Sequence, residues 1–541
     1  MRNLRFAFIL SVTAMFGCTE PKTATSIQSG IIYCSESSPS SFNPQLDTSS
    51  TTVDASAHQL YDRLLEIDPA TGKPIPGLAS SWRVSRDGLT YSFQLRPNIT
   101  FHTTDYFVPT RTLNVDDVIF SFKRWSDPNH PYHSVNGGRY PYFDSLNLRE
   151  NIIQIEEVNH LRFTIRLKQP DASFITHLAT DFSVILSAEY ADTLLQLGEP
   201  ELIDHYPIGT GPYKLAYYRK NQYIRYTPHL QYWSVQAHDG PLIFDITPQS
   251  SLRLAKLMTG ECDSIAYPSQ AEITYVEGRD DIVLEQATGL NVGFWAFNTS
   301  KAPFDNVLVR EALASAIDKT TIIDAVYFDS ATRSRSLIPP TSWAFSVDTP
   351  ETEYNPVRAR ELLAQAGYRN GFSMTLWALP VVRSYNPDAL RMAELIRGYL
   401  AEVGITVEIV TSEWDSFRAG LDRGEHDSVL IGWSADNGDP DNFYRPLLSC
   451  GGIQSGTNRA MFCDAQYDAI IQQALLTTNI EQRKALYFQA NLLIAEQIPL
   501  IPIAHANRYK VFRNHLRGVV INPYGGMRFG EMYKAASEGA Q

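Results

Sequence analysis

The spacing of apolar residues changes character along this chain. In its first half they fall mostly at every second position. In Thr90–Leu95, Tyr91, Phe93 and Leu95 share one face while Thr90, Ser92 and Gln94 share the other, as in a strand buried on one side. Similar strands are predicted at 30–34, 152–158, 160–169, 213–218 and 223–228. Helical spacing interrupts them at 58–67 (Leu60, Leu64, Leu65), from Asn114 through Trp125 (Val118, Phe122, Trp125) and at 171–179. Around Leu290 the texture shifts. A nearly continuous apolar strand, NVGFWAFN, is followed by helices at 307–318, 354–368, 386–404 and 414–424, alternating with strands at 373–379, 405–411 and 426–433.

Alternating helix and strand at this period predicts βαβ units on a largely parallel sheet. Residues 465–497 read as helical, and IPLIPIAHA (498–506) as a strand returning to the first half. An α+β first half therefore encloses an inserted α/β lobe. Two crossovers, near 290–298 and 498–505, define a hinge with a cleft beneath it, a geometry suited to engulfing a ligand. No internal repeat is visible.

Composition narrows the function classes. The formal charge is -13 and no basic cluster is present, which argues against nucleic acid and anionic membrane surfaces as partners. Met1–Arg5 is a short basic region and Phe6–Phe16 an apolar one too short for a resident span, the pattern of an export signal (1–18). It ends Ala14-Met15-Phe16-Gly17-Cys18, similar to a lipoprotein box with Cys18 as the lipidated residue, although Met15 and Phe16 depart from the usual pattern. Residues 19–29 read as a polar tether. No other segment approaches the apolar length of a membrane span. An exported, soluble or lipid-tethered protein follows, with membrane contact only through such an anchor or a membrane partner.

Export makes the cysteines readable. Setting Cys18 aside leaves Cys34, Cys262, Cys450 and Cys463, an even number for an oxidising compartment. The sequence allows three pairings. The simplest joins Cys450 to Cys463 and leaves Cys34 with Cys262. A zinc site is the rival, but no CxxC or HxxxH spacing supports it.

Candidate chemistry concentrates in Leu430–Cys463. A short apolar strand breaks at Ser434–Gly438 into an acidic turn; Asp439 is placed to cap a following helix, with Pro440 at its first position and Asp441 in its first turn. A carboxylate at a strand end beside Trp433 suits a cationic ligand group, and Asp436 is the leading candidate. Gly209-Thr-Gly-Pro212 lacks the Lys-Ser/Thr and helix of a phosphate loop and reads as a turn before a strand. No GxSxG, HExxH or Ser-Lys motif supports an exported hydrolase or peptidase. The reading is a binding protein, not an enzyme, with no metal and no cofactor. A periplasmic chaperone or sensor is the remaining alternative.

Four stretches, YDRLLEIDPATGKPIPGLASSW, GTGPYKL, AFNTSKAPFDNVLVREALASAID and WSADNGDPDNF, together resemble the periplasmic oligopeptide- and dipeptide-binding proteins of ABC importers, bacterial extracellular solute-binding family 5. VNGGRYPYFDSL, QPDASFITHLAT, LMTGECD and PDNFYRPLLSC more closely resemble the peptide-transport component of the Sap (sensitivity to antimicrobial peptides) system. The resemblance implies a class II, cluster C binding protein of α/β type. Its lobe I comprises 30–60, 186–289 and 503–541, with an extra α+β subdomain at 61–185, lobe II at 290–502 and a two-strand hinge. It agrees with the simplest cysteine pairing.

The resemblance also implies that Asp436 holds a peptide's α-ammonium and Arg383, in PVVRSYNPDALRMAE, its carboxylate. Gly432, Trp433 and Ser434, with the loop at Ser38 and Ser40, would pair with the peptide backbone. The chemistry stands unaided: a non-selective binder should grip the termini and amides that all peptides share. An arginine just before the Asn386-Pro387 helix start would join a fork donor to a helix dipole. The implied role is a monomeric periplasmic receptor that captures peptides, cationic antimicrobial peptides among them, and delivers them to permease and ATPase subunits. Relatives taking haem or other solutes are the alternative.

Overall fold

One 14-residue strand, Leu500–Arg513, belongs to both halves of the molecule. The computed structural model describes residues 30–235, 240–524 and 526–535; the expected export signal at 1–18, with Cys18, and the expected tether at 19–29 lie outside the described residues. Residues 500–504 of the long strand pair antiparallel with Asn291–Phe297, and residues 507–513 with Ile282–Thr288. A single 12-stranded sheet therefore runs through both lobes. Beyond Asn291–Phe297 it continues through Ser428–Ser434, Ser373–Ala378 and Thr406–Val410. Toward the other edge come Ser264–Ile265, Ile31–Ser35, Leu242–Ile246, Tyr223–Pro228 and Tyr213–Arg219.

The inserted lobe is less parallel than its alternation predicts. Ser373–Ala378 runs parallel to both of its neighbours, but Asn291–Phe297 is antiparallel to Ser428–Ser434 and to the long strand. The chain must enter and leave this lobe at the hinge side by side, and two such crossings are antiparallel by connectivity. One apolar core spans 290–506; a second joins 31–266 with 512–532. That second core also takes in an antiparallel four-stranded sheet, Ala79–Val84, Thr90–Leu95, Arg162–Leu167 and Ile152–Asn159. Helix Val115–Ser126 packs there. It starts in a capping box, with Asn114 and Asp117 reciprocally bonded, so two of its orphan amides are satisfied.

Three local expectations change. No helix forms over 58–67; the helix lies earlier, at Ser50–Ser56, and Leu65–Ile67 is a strand. Leu60, Leu64 and Leu65 are all fully buried, but the Gly77 and Leu78 N–H groups donate to the Leu64 and Arg63 carbonyls, which holds the leucines along an extended path. The helix at 171–179 shrinks to one turn, Phe174–His177, and 465–497 divides into Ala465–Leu476 and Ile480–Gln497, the second capped by Asn479.

Gly209-Thr-Gly-Pro212 is the turn ahead of strand Tyr213–Arg219. A Cβ on Gly209 would stand 2.0 Å from the Leu60 carbonyl oxygen, so close backbone approach is why glycine sits here. Disulfides join Cys34 to Cys262 and Cys450 to Cys463. Cys34, Cys262 and Asp245 form the one metal-like cluster among the described residues, but its sulfurs are already bonded to each other. No described helix is long and apolar enough to cross a membrane.

Candidate functional site

A cavity of about 270 Å³ opens between the lobes. From one side Asp54, Tyr267 and Arg508 line it, and from the other Arg383, Trp433 and Asp436. Side-chain contacts cross the cleft: Arg418 meets Asp47 at 3.0 Å, and the Arg383 guanidinium lies 3.6 Å from Glu36.

Asp436 lies two residues past the end of strand Ser428–Ser434, and Asn442 sets its position. The Asn442 amide oxygen accepts the Asp436 N–H at 3.1 Å and the Trp433 indole N–H at 3.0 Å. Its NH2 donates to Asp436 Oδ2 at 3.3 Å and to the Tyr142 hydroxyl at 3.2 Å. One fully buried side chain thus orients both the acid and the tryptophan beside it.

Three aspartates in this turn meet different fates. Asp439 is paired with Arg483 at 2.8 Å and accepts the Asp441 N–H at 3.0 Å, while Asp441 pairs with Arg445 and lies 3.3 Å from His177. The helix begins one residue later than the capping pattern predicts: Asp441–Leu448, with Pro440 at the N-cap. Asp439 and Asp441 are structural charges, neutralised where they are buried. Asp436 alone of the three lines the cavity, and among the described residues it has no ion pair. Burial and the nearby Asp181 carboxylate push its carboxyl well above the ordinary carboxylate range. A cation arriving there would relieve that cost.

Arg383 is buried, with its guanidinium over the Trp414 ring at 5.1 Å. A tight backbone exchange with Asn386, 3.2 and 3.1 Å, closes its loop. The loop rests on two glycines paired across the central strands, Gly293 and Gly432. A Cβ on Gly293 would lie 2.4 Å from the Tyr385 carbonyl oxygen, and one on Gly432 would lie 2.3 Å from the Tyr385 ring. The Tyr327 hydroxyl also donates to that carbonyl at 2.8 Å. Glycine in mid-strand thus lets the arginine loop descend onto the sheet. The helix after it starts only at Ala389, and the Asp388 side chain caps it by accepting the Arg391 N–H at 2.9 Å. The helix thus begins three residues past the Asn386 start expected beside Arg383.

Strand Ser428–Ser434 supplies the backbone of the site. All seven residues pair with 291–297 on one edge, but on the other only 428–430 pair with 376–378. Among the described residues nothing pairs with that edge from Ile431 to Ser434, and those four residues line the cavity. Gly432, Trp433, Ser434, Asp436 and Arg383 are thus brought together.

Ser38 and Ser40 are not. Neither lines the cavity: the Ser38 hydroxyl bonds Asn221 Oδ1 at 3.0 Å, and that of Ser40 bonds Asp47 Oδ2 at 2.7 Å. Thr48, Ser49 and Ser50, at the start of helix Ser50–Ser56, take that place in the lining. Sequence reasoning also missed Asp54, Asp181, Tyr267, Trp414 and Arg508. Burial and the Glu36 charge raise Asp54 to about 7. An acid amid small residues in TTVDAS was one available signal. Tyr267, at φ 39°, holds a left-handed backbone that only the tertiary structure reveals.

Residues 73–455 match the family model described as bacterial extracellular solute-binding proteins, family 5 Middle. The chain is 44% identical over 507 residues to the dipeptide-binding protein of Escherichia coli, covering 94% of this chain and 95% of that one. It is 39% identical over 525 residues to the peptide transport periplasmic protein SapA of Salmonella typhimurium, 97% and 95% of the two chains. The Sap-like stretches therefore do not translate into higher overall identity than the dipeptide-binding relative has. Among solved structures, a dipeptide binding protein from Pseudoalteromonas sp. SM9913 in complex with Met-Leu is 44% identical with a TM-score of 0.91, covering 94% of this chain and 100% of that one.

Proposed function

The chain belongs to the bacterial extracellular solute-binding proteins of family 5, and from that premise we propose that it is a receptor for short peptides serving an ABC importer. The observation that carries the reading is the unpaired strand edge at 431–434 inside the cleft. An extended peptide adds to such an edge through main-chain hydrogen bonds that any sequence can make. Asp436 then receives the α-ammonium, and Arg383 the terminal carboxylate as a charge-assisted pair. Side chains project into the rest of the cleft, where bridging water accommodates variety.

The relatives named for dipeptides support ligands of about this cavity's size. Cationic defence peptides, implied by the Sap resemblance, are a finer claim, tested by titration with one of them. Permease and ATPase subunits are the partners in this reading. The protein acts as a monomer outside the cytoplasm, tethered through Cys18 if that residue is lipidated.

The experiment is native mass spectrometry of the protein purified from its own host, followed by gentle denaturation to release bound ligand. A ladder of short peptides supports the reading. Haem, a polyamine or an empty protein would overturn the terminus-gripping mechanism.

A further inference from the structure

The four-stranded antiparallel sheet buries one face, where Tyr91, Phe93, Phe163 and Ile165 enter the second core. Its other face is open to solvent, and strand register decides what meets there. Arg83 pairs with Ser92 and Ser92 with Thr164; in the flanking rows Thr90 pairs with Arg166 and Gln94 with Arg162. Arg83, Arg162 and Arg166 are all exposed. Arg86 and Lys168 stand exposed at one end of the same face, where the Leu167 N–H closes on the Leu89 carbonyl at 2.8 Å. In the sequence these five cations form two short, separate groups, at 83–86 and 162–168. Strands in a sheet lie about 4.8 Å apart, so Arg83 stands only about 10 Å across from the strand that bears Arg162 and Arg166.

None of the five forms an ion pair among the described residues; the Arg162 guanidinium donates to Gln94 Oε1 at 2.7 Å. Two acids belong to the face, Glu156 opposite Thr164 and Asp87 in the turn with Arg86. Glu156 accepts from the Gln154 amide at 3.3 Å, and Asp87 accepts the Leu89 N–H at 3.0 Å and feels the Arg166 charge. The flanking acids Glu150 and Glu157 have Arg149 at 3.9 Å and His160 at 3.4 Å. Cations thus outnumber acids on this face, in a chain whose net charge is -13.

We propose that this sheet face docks on an anionic phospholipid surface. A guanidinium fork matches two phosphate oxygens, and the Thr90, Ser92 and Thr164 hydroxyls between the arginines can donate to the same headgroups. Each Arg or Lys near such a surface adds attraction while the acidic remainder of the chain is repelled, so the protein is oriented as well as held. Charge along the sequence argues against this partner; strand pairing reverses the argument at one face. The cationic face stands on the structure alone. The choice of a membrane rests on the importer reading, because a receptor that hands solute to a permease works at a lipid surface.

The test is cosedimentation of the chain from residue 19 onward, which carries no lipid, with vesicles of pure phosphatidylglycerol or pure phosphatidylcholine at low ionic strength. We expect partitioning onto phosphatidylglycerol to be stronger by about tenfold or more, and to be lost at about 0.5 M salt. The double variant Arg83→Gln, Arg166→Gln should weaken it about 25-fold, at about fivefold for each arginine. Arg360→Gln with Arg369→Gln, the same charge change at exposed positions of the other lobe, should leave it within about twofold. Equal partitioning onto the two lipids, or an equal loss in both double variants, would overturn the proposal. Retention on heparin without vesicle binding would overturn it too, by assigning the face to a soluble polyanion. Ala-Ala titration should be the same in the wild type and both variants; failure of the wild type to bind any peptide would instead overturn the importer reading.

Discussion

The side-chain amide of Asn291 pairs with both backbone polar groups of Ala506: its Nδ2 donates to the Ala506 carbonyl at 2.8 Å, and its Oδ1 accepts the Ala506 N–H at 2.9 Å. It does so between the two stretches of ladder on the long strand, where Thr288 pairs with Asn507 on one side and Gly293 with Ala504 on the other. The amide substitutes for a backbone partner at the point where the chain passes between lobes. A Cβ on Gly289 would stand 2.0 Å from this amide.

Asn291→Ala removes both bonds and leaves two buried backbone groups unsatisfied, so we expect a loss of about 2 kcal/mol. Urea unfolding measures it. An unchanged midpoint and slope would mean that water or a backbone shift replaces the amide.

The raised Asp436 carboxyl gives ligand binding a pH signature. A carboxyl pushed up by burial holds its proton more tightly in the free protein, and an arriving ammonium favours the ionised form, so binding favours release of that proton. Affinity for free-amine peptides should fall as pH is lowered. Calorimetry in buffers of different ionisation enthalpy should detect proton release that Asp436→Asn abolishes. Equal proton release in the variant would assign the effect to another group, with Asp54 first in line.

Gly293→Ala and Gly432→Ala should each displace the loop bearing Arg383, because the added methyl meets Tyr385 at 2.4 Å or closer. Overpacking of this kind costs about 1–3 kcal/mol, here divided between stability and ligand affinity. We expect peptide affinity to drop about tenfold or more in Gly432→Ala. A thermal melt alone would miss this; a titration that shows wild-type affinity would contradict it.

Two buried histidines predict how stability varies with acid. His505 lies at the hinge, with Nδ1 2.7 Å from the Asn291 carbonyl oxygen and Nε2 2.9 Å from the Ser334 hydroxyl. Burial lowers it from 6.5 to about 4, and His426 likewise. A depressed pKa means that the unfolded chain binds protons the native state refuses. Stability is therefore full above pH 6.5 and declines toward pH 4, by roughly 3 kcal/mol for each histidine. Denaturant titrations across that interval check the slope, which should flatten in His505→Gln.

Much of the architecture was legible because it depends on local periodicity. Alternation at 90–95 and helical spacing at 115–126 survive in the structure, since each element buries the face its own pattern marks. The stretch at 58–67 misled because buried leucines at helical spacing are also compatible with an extended path through a core, and neighbouring backbone decided between them. Asp436 was a candidate from its place at a strand end beside Trp433 and the arginine loop from motif resemblance, and both line the cavity; Ser38 and Ser40 came from the same resemblance but make their bonds elsewhere. A loop's position along the chain does not set its reach.

By itself, the sequence marked most of the elements and the two crossovers, because strand alternation and helix caps act over a few residues, and of the three possible cysteine pairings it offered as simplest the one built on the short Cys450–Cys463 spacing. Only the tertiary structure decided which of three neighbouring aspartates faces the cleft without a cation and which strand edge is left unpaired. It alone brought Arg508 to the cleft wall across from Arg383. Those outcomes depend on what burial removes from water and which distant charge arrives beside it, here Arg483 against Asp439 and Arg445 against Asp441. Desolvation and pairing are properties of packed space, and chain order does not specify them.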